Sequence, residues 1–212
     1  MSAIRYTLLA NGGSDRALLP LLDWLLQNHL PGRAVRPQWA DLARLVSPPG
    51  SLVERIEQAV DLYPCDMICI HRDSERVPRE ERADEIRQAA EASCVGPTAV
   101  PVVPVRMTEA WLLFDKQAIR RAAGNPNGQI PLQLPPNPEG LSDPKSTLHA
   151  LLKTASGLSG RRLKKFRVAP AVHRVAQLIQ DFSPLRGLPA FNVFEDELRR
   201  ALGSLESPRQ NP

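Results

Sequence analysis

Short apolar runs alternate with segments of helical periodicity along the first 124 residues of the chain. Apolar runs rich in β-branched residues predict strands, and apolar positions spaced three and four apart predict helices. The predicted strands are residues 5–10, 66–70 and 98–105, and the predicted helices are residues 15–28, 51–62, 78–93 and 109–123. Strands that alternate with helices are typical of a mostly parallel sheet covered by helices, so we predict an α/β fold.

Local signals refine these boundaries. Pro20 falls early in the first predicted helix, which should kink or restart there. Ser51 and Glu54 have the spacing of a capping box at the start of the second helix. Pro101 and Pro104 indicate that the third strand lies at an edge of the sheet or ends irregularly, because proline cannot donate to a strand ladder.

The pattern changes after Gly124. Residues 125–142 are rich in Pro, Asn and Gly, which predicts a long surface loop. Only helices are predicted beyond it, at residues 145–154, 171–181 and 191–202, followed by a frayed tail at 207–212. We therefore divide the chain into an α/β core, residues 1–124, and a loop with a helical extension packed on that core, residues 125–212.

Composition leaves several function classes open. The chain has 212 residues, 42% of them hydrophobic, and a net charge of +4, which permits a polyanionic partner without requiring one. The cysteines Cys65, Cys69 and Cys94 form no C-x-x-C pair, which suits a reducing compartment. The N-terminus has no signal-peptide pattern, and no apolar run approaches the ~18 residues that span a bilayer, so we expect a cytoplasmic protein without a membrane partner.

The predicted strand at residues 66–70 is followed closely by two carboxylates with the spacing D-x-E, Asp73 and Glu75. Ligands of open α/β sheets bind at the carboxyl ends of the strands, and carboxylate oxygens are suitable ligands for Mg²⁺. The alternative is a solvated loop in which Arg72 pairs with either acid. His71 is a weaker metal candidate, since a loop histidine more often bonds to the backbone.

Two further segments lie where strands give way to helices. The turn Asn11-Gly-Gly-Ser-Asp15 could let the backbone approach an anion, or it could be a tight turn with Ser14 as N-cap. Glu109 follows the third strand, with Thr108 as a possible cap. If the strands are neighbours, Asn11, Asp73 and Glu109 should converge at one edge of the sheet.

Two segments in the second half of the chain place cations where they could contact phosphates. Lys145 follows Asp143 and Pro144, and a basic run covers residues 161–167 with Phe166 inside it; the cations of this run are Arg161, Arg162, Lys164, Lys165 and Arg167. Such a run could bind the phosphates of a nucleic acid, or it could be a solvated helix face.

The order of these segments resembles a bacterial family of unknown function within the TOPRIM-like superfamily, whose domains occur in topoisomerases, primases and OLD-type nucleases. The resemblance extends from Arg5 to about Phe194, and it rests mainly on E-A-W-L-L from Glu109 and on D-P-K ending at Lys145, with support from H-R-D-S-E from His71. It implies a Rossmann-like, TOPRIM-type parallel sheet with an acidic site for Mg²⁺ or Mn²⁺.

The resemblance also implies roles for individual residues. Asp73 and Glu75 occupy the D-x-D motif of the family, and with Glu109 they would be the metal ligands. The family's first-motif Glu aligns with Asn11, whose amide cannot replace a carboxylate as acid, base or Mg²⁺ ligand. Either Asp15 or Glu109 compensates as a catalytic carboxylate, or the site is degenerate.

Three functions follow from this resemblance. The first is a Mg²⁺-dependent nuclease that acts on nucleic acid in phage defence, together with an ATPase encoded nearby. The second is a catalytically degenerate module of the same fold that binds and regulates that ATPase. The third is a protein that binds a small phosphorylated ligand or a nucleotide. The sequence is compatible with a homo-oligomer and does not show one.

Overall fold

The computed structural model describes residues 3–206, and within them four strands form one parallel sheet in the order β2-β1-β3-β4. The strands are β1 Ile4–Leu9, β2 Val35–Trp39, β3 Met67–His71 and β4 Thr98–Val102. All neighbouring pairs are parallel. The predicted α/β class, with a parallel sheet flanked by helices, is confirmed, and the arrangement is Rossmann-like. The tail predicted at residues 207–212 lies outside the described residues.

The edge strand β2 was not predicted from the sequence. Its residues are VRPQW, so it contains only two apolar side chains, and Arg36 and Pro37 are exposed. An edge strand has one unpaired side and few buried side chains, so its sequence shows little alternation of apolar and polar residues. Strand β4 lies at the opposite edge, as its prolines indicated, but it ends at Val102 rather than at residue 105.

The helices of the described chain are α1 Leu19–His29, α2 Leu52–Leu62, α3 Arg79–Ala92, α4 Lys116–Ala122, α5 Pro144–Ser156, α6 Gly160–Lys164, α7 Val168–Leu178 and α8 Pro189–Glu206. The capping box of Ser51 and Glu54 is present. Pro20 lies in the first turn of α1, where the helix restarts after a 3₁₀ helix, Gly13–Leu18.

The predicted continuous helix over residues 109–123 is wrong. Residues Thr108–Leu112 form a 3₁₀ helix, and α4 starts separately after Asp115. The Asp115 carboxylate accepts hydrogen bonds from the amides of Gln117 and Ala118, which makes it a strong N-cap and favours a new start at this position.

Two apolar clusters cover the two faces of the sheet. The larger one joins side chains from both halves of the chain, among them Ile4, Trp111 and Phe194, and the smaller one packs helices α2 and α3 against the other face. The indole of Trp111 stacks on Phe194, with ring centroids 5.6 Å apart. Residues 3–206 contain no helix that is long and apolar enough to cross a membrane. The boundary at residue 124 stays a sequence-based prediction.

Candidate active site at the switch point of the sheet

The strand order creates a crevice between the carboxyl ends of β1 and β3. The chain leaves β1 towards β2 on one side and leaves β3 towards β4 on the other, so the two connections diverge. Ligands of open α/β sheets bind at such a switch point. A cleft of about 310 Å³ lies there, and its lining includes Asn11, Asp15, His71, Asp73 and Glu75.

His71 is the buried centre of this site. It is the last residue of β3 and only 1% exposed. Its Nδ1 lies 2.9 Å from the Val102 carbonyl, and its Nε2 lies 3.4 Å from Asp73 Oδ1 and 3.9 Å from Asp15 Oδ1. Burial alone would lower the pKa of His71, but the bond to Asp73 and the charges of both carboxylates outweigh it and raise the pKa above its usual value. His71 therefore lies between two carboxylates that favour its protonated form.

Asp15 is held in the glycine-containing turn after β1. Its Oδ2 accepts a hydrogen bond from the Gly12 amide at 3.0 Å, and its Oδ1 accepts one from the Ser14 hydroxyl at 3.2 Å. The interpretation of Ser14 as N-cap is wrong: Gly12 is the N-cap of the 3₁₀ helix, and Ser14 instead supports Asp15. These bonds fix the Asp15 carboxylate beside His71.

Asp73 is positioned by the segment that follows β4. The Thr108 amide donates to Asp73 Oδ1 at 3.2 Å, and the Arg106 amide donates to Ser74 Oγ at 2.7 Å. Arg106 and Glu75 both have left-handed backbones, with φ of 63° and 52°. Non-glycine residues in this region carry strain, which concentrates at functional sites. The two loops thus form one cross-linked unit around Asp73.

Glu109 completes a group of carboxylates. It is 8% exposed, and burial, together with the nearby charges of Asp73 and Asp15, raises its pKa, while the charge of Lys145 lowers it. Lys145 itself is exposed in the first turn of α5, after the N-cap Asp143. We refer to Asp15, Asp73 and Glu109 as the acid cluster. Its three members follow three different strands: Asp15 follows β1, Asp73 follows β3 and Glu109 follows β4.

Asn11 and Glu75 are placed differently from the acid cluster. Asn11 Oδ1 accepts a hydrogen bond from Arg55 Nη1, and Arg55 Nη2 donates to the Ala10 carbonyl at 2.7 Å. Glu75 lines the cleft, but its side chain is exposed and makes no hydrogen bond or ion pair to another part of residues 3–206. Asn11 therefore lies in the cleft wall, tied to Arg55, and Glu75 lies at the rim.

Arginines line part of the same cleft, which we refer to as the arginine wall. Arg72 and Arg82 line it and share the Glu85 carboxylate. Arg55 approaches through its bond to Asn11, and burial and the charge of Arg72 lower its pKa. A cationic wall facing a group of carboxylates suits a ligand that combines phosphate with a metal ion.

The basic run lies apart from this cleft. All five of its cations are exposed, and none has a side-chain hydrogen bond or ion pair within the described chain. Lys145 is in the first turn of α5 and Arg161 follows its C-terminal end, so the 13-residue helix separates them by about 20 Å. Phe166 packs against the larger apolar cluster and, unlike Trp39, lines none of the cavities described below.

The acid cluster fits Mg²⁺ in its donor chemistry but is not a complete metal cage. Among residues 3–206, no three His, Cys, Asp or Glu side chains are arranged as a ligand group for a metal ion. Mg²⁺ commonly uses only one or two protein carboxylates and takes water and substrate phosphates as its other ligands. Asp73, whose Oδ2 has no hydrogen-bond partner in the described chain, and Glu109 meet that requirement.

Several of these features were missed in the sequence. The signal for His71 is its position at the last buried residue of a strand before D-x-E. Arg55 has no such signal, because a single arginine in an amphipathic helix carries no local pattern that marks it as part of a site. A comparison with models of known protein families, with curated proteins and with solved structures found no match to this chain.

Proposed function

We propose that this protein is a Mg²⁺-dependent hydrolase of phosphodiester bonds in nucleic acid. The observation that carries the proposal is the grouping of the Asp15 and Asp73 carboxylates in the switch-point cleft, with the Glu109 carboxylate beside them. Burial raises the pKa of Glu109, and the charges of Asp73 and Asp15 add to that effect. Carboxylates grouped in a cleft are candidates for a cation site. The resemblance to TOPRIM domains supports the same reaction class.

Asp73 and Glu109 would hold the metal ion, and Asp15 would add a third carboxylate near it. A Mg²⁺ ion at this position would supply Lewis-acid polarisation of a phosphoryl oxygen and a more acidic bound water. Asp15 and Asp73 are held by amide hydrogen bonds and by His71, so they need no reorganisation when a ligand arrives.

His71 has a positioning role. Its Nδ1 donates to the Val102 carbonyl, which directs Nε2 towards Asp73 and Asp15. The imidazole is buried below the cleft, where it would hold the two carboxylates at a fixed spacing and offset part of their negative charge.

The substrate phosphate would lie between the acid cluster and the arginine wall. Arg72 and Arg82 line that wall, and Lys145 is close enough to Glu109 to lower its pKa. Cations at these positions would neutralise the phosphate and orient it. The basic run, about 20 Å away at the other end of α5, would contact a more distant part of the same strand.

A non-catalytic module is the second candidate, and the bond between Asn11 and Arg55 favours it. The position that carries the first carboxylate in TOPRIM domains holds an amide that is tied to an arginine. In that case the protein would bind and regulate a partner ATPase, and a role in phage defence would require both proteins together. Binding of a small phosphorylated ligand is compatible with the same arginine wall.

Cleavage of end-labelled DNA and RNA, single-stranded and duplex, in Mg²⁺ and in EDTA separates these candidates. The nuclease proposal predicts metal-dependent products that Asp73→Asn reduces by at least about 100-fold. Asp61→Asn is the matched control, because Asp61 is an exposed carboxylate on α2. No cleavage of any substrate, with or without the ATPase encoded nearby, would leave the binding module.

A further inference from the structure

The cleft at the switch point continues into a longer groove. A second cavity of about 270 Å³ shares Asn11 and Gly12 with it, and a third of about 530 Å³ shares Gly13 and Trp39 with the second. Together they run along the carboxyl edge of the sheet from the acid cluster to the edge strand β2. We refer to this as the edge groove.

Trp39 forms an aromatic wall at the far end of the edge groove. It is the last residue of β2, and its side chain is only partly buried. Part of the indole packs against the larger apolar cluster, and the remainder lines both outer cavities. A ring that is anchored on one side and open on the other provides a rigid surface on which a planar group can stack.

The polar groups around Trp39 suit the edge of a nucleobase. Asp23 lines the same cavity, its Oδ1 accepts a hydrogen bond from the Tyr6 hydroxyl at 2.9 Å, and its Oδ2 has no partner within residues 3–206. His173 and Gln177 from α7 line it as well. A carboxylate oxygen, an imidazole and an amide beside an aromatic face are the groups that bind an unpaired base.

Gly12 and Gly13 keep the middle of the edge groove open. Gly12 has a φ of −139°, and the backbone of Gly13 is not left-handed, so neither conformation requires glycine. A Cβ built at Gly13 meets no atom within 4 Å. A side chain there would extend into the groove without straining the backbone. Because both residues are glycines, the groove stays open between the acid cluster and Trp39.

We propose that the edge groove binds a single-stranded segment of nucleic acid, with a phosphate at the acid cluster and an unpaired base stacked on Trp39. The assignment rests on the proposed function for the phosphate end and on Trp39 for the base end. A duplex is excluded as the ligand of this groove, because a base must leave its stack to lie against the indole.

Fluorescence polarisation with a labelled 12-nucleotide strand tests this binding. Ca²⁺ replaces Mg²⁺ so that a cation is available to the acid cluster, and the strand is checked for cleavage afterwards. Base–aromatic stacking predicts that Trp39→Ala weakens binding at least about fivefold, whereas Trp39→Phe stays within about threefold of the wild type. A strand of the same length with abasic sites separates stacking from phosphate contacts. The wild type should bind it more weakly than the intact strand, and Trp39→Ala should bind both equally.

Gly13→Val tests the groove without altering Trp39. The added side chain should block the strand and leave the thermal melting temperature unchanged or higher, because it restricts the unfolded chain. Gly187→Val is the matched control: Gly187 is also exposed in a 3₁₀ helix, and its Cβ likewise meets no atom within 4 Å. Equal binding by Gly13→Val and Gly187→Val would overturn the proposal.

The competitors define the ligand class. Unlabelled single-stranded DNA and RNA should both compete, and a duplex should compete at least tenfold less well. A mononucleotide that competes as well as the strand would overturn the strand assignment in favour of a free nucleotide. Base-dependent binding without any metal-dependent cleavage would support strand binding in the edge groove and contradict the enzyme proposal. If Trp39→Ala changes neither binding nor cleavage, strand binding in the edge groove is wrong and the enzyme proposal stands.

Discussion

The imidazole of His71 lies 3.4 Å from the carboxylate of Asp73, directly beneath the switch point of the sheet. The histidine is the buried end of β3 and Asp73 is the first acid beyond it, so one strand supplies both charges. The two carboxylates favour the protonated imidazole, so His71 offsets part of the negative charge of Asp73 and Asp15. For Glu109 the nearby cation is Lys145, whose charge lowers a pKa that burial raises.

Replacing His71 by leucine should destabilise the protein by about 2–3 kcal/mol, because it removes the hydrogen bonds of the imidazole to the Val102 carbonyl and the Thr108 hydroxyl and its contacts with the two carboxylates. Urea unfolding measures this difference. His149→Ala, a partly exposed histidine of α5, should change the free energy of unfolding by less than about 0.5 kcal/mol. Equal effects of the two variants would show that His71 does not hold the site together.

Asp15, rather than Asn11, should supply the carboxylate that TOPRIM domains have after their first strand. Asn11→Glu is expected to pair with Arg55, so it should change the affinity for Mn²⁺ by less than about threefold. Asp15→Asn should lower that affinity by about tenfold or more, as losses of groups that orient or ligate a metal do. A large gain in Mg²⁺-dependent cleavage from Asn11→Glu would instead mark the natural site as degenerate.

The sheet and its acidic edge could be predicted because β1, β3 and β4 are short segments rich in apolar residues, and a carboxylate follows each of them. Strand β2 could not, because its polar and proline residues suit an exposed edge and leave no alternating pattern. The proximity of Glu109 to Lys145 depends on how α5 packs against the segment after β4, and no local pattern records such a contact. The tie between Asn11 and Arg55 is missed for the same reason.

The stability of the helical extension should depend on pH through Glu195. Its carboxylate accepts hydrogen bonds from Arg186 and lies 2.8 Å from His29 Nε2, and the bonds from Arg186, ahead of the contact with His29, lower its pKa. A lowered acid pKa adds stability above the unfolded value of about 4.3, which is lost as the pH falls through the folded pKa. Glu195→Gln should therefore cost about 2–3 kcal/mol at pH 7 and progressively less as the pH falls from about 4.3 towards 3.

Urea unfolding of Glu195→Gln and the wild type across that pH range provides the measurement. Asp196→Asn is the control, because its pair with Arg199 is exposed on both sides and should contribute less than about 1 kcal/mol. A difference between Glu195→Gln and the wild type that stays constant down to pH 3 would contradict the assignment.

The basic run should contribute to nucleic-acid binding through charge alone. Replacing Arg161, Arg162, Lys164 and Lys165 by alanine should weaken binding of all sequences alike. It should also reduce the slope of log K against log salt by up to about 3, since each phosphate contact with a single strand contributes about 0.7. Arg199→Ala with Arg200→Ala on α8 controls for the loss of exposed cations. An unchanged slope in the quadruple variant would identify the run as a solvated face.

Thermal unfolding with and without millimolar Mn²⁺ tests most directly whether the acid cluster is a cation site. A metal that binds the folded state raises its melting temperature by mass action. Burial and repulsion from Asp73 and Asp15 raise the pKa of Glu109, so Glu109→Gln should unfold at a higher temperature than the wild type in EDTA. We predict that Mn²⁺ stabilises the wild type and Asp61→Asn, and stabilises neither Glu109→Gln nor Asp73→Asn. A wild-type melting temperature that Mn²⁺ leaves unchanged would contradict the metal site, and with it the proposed hydrolysis.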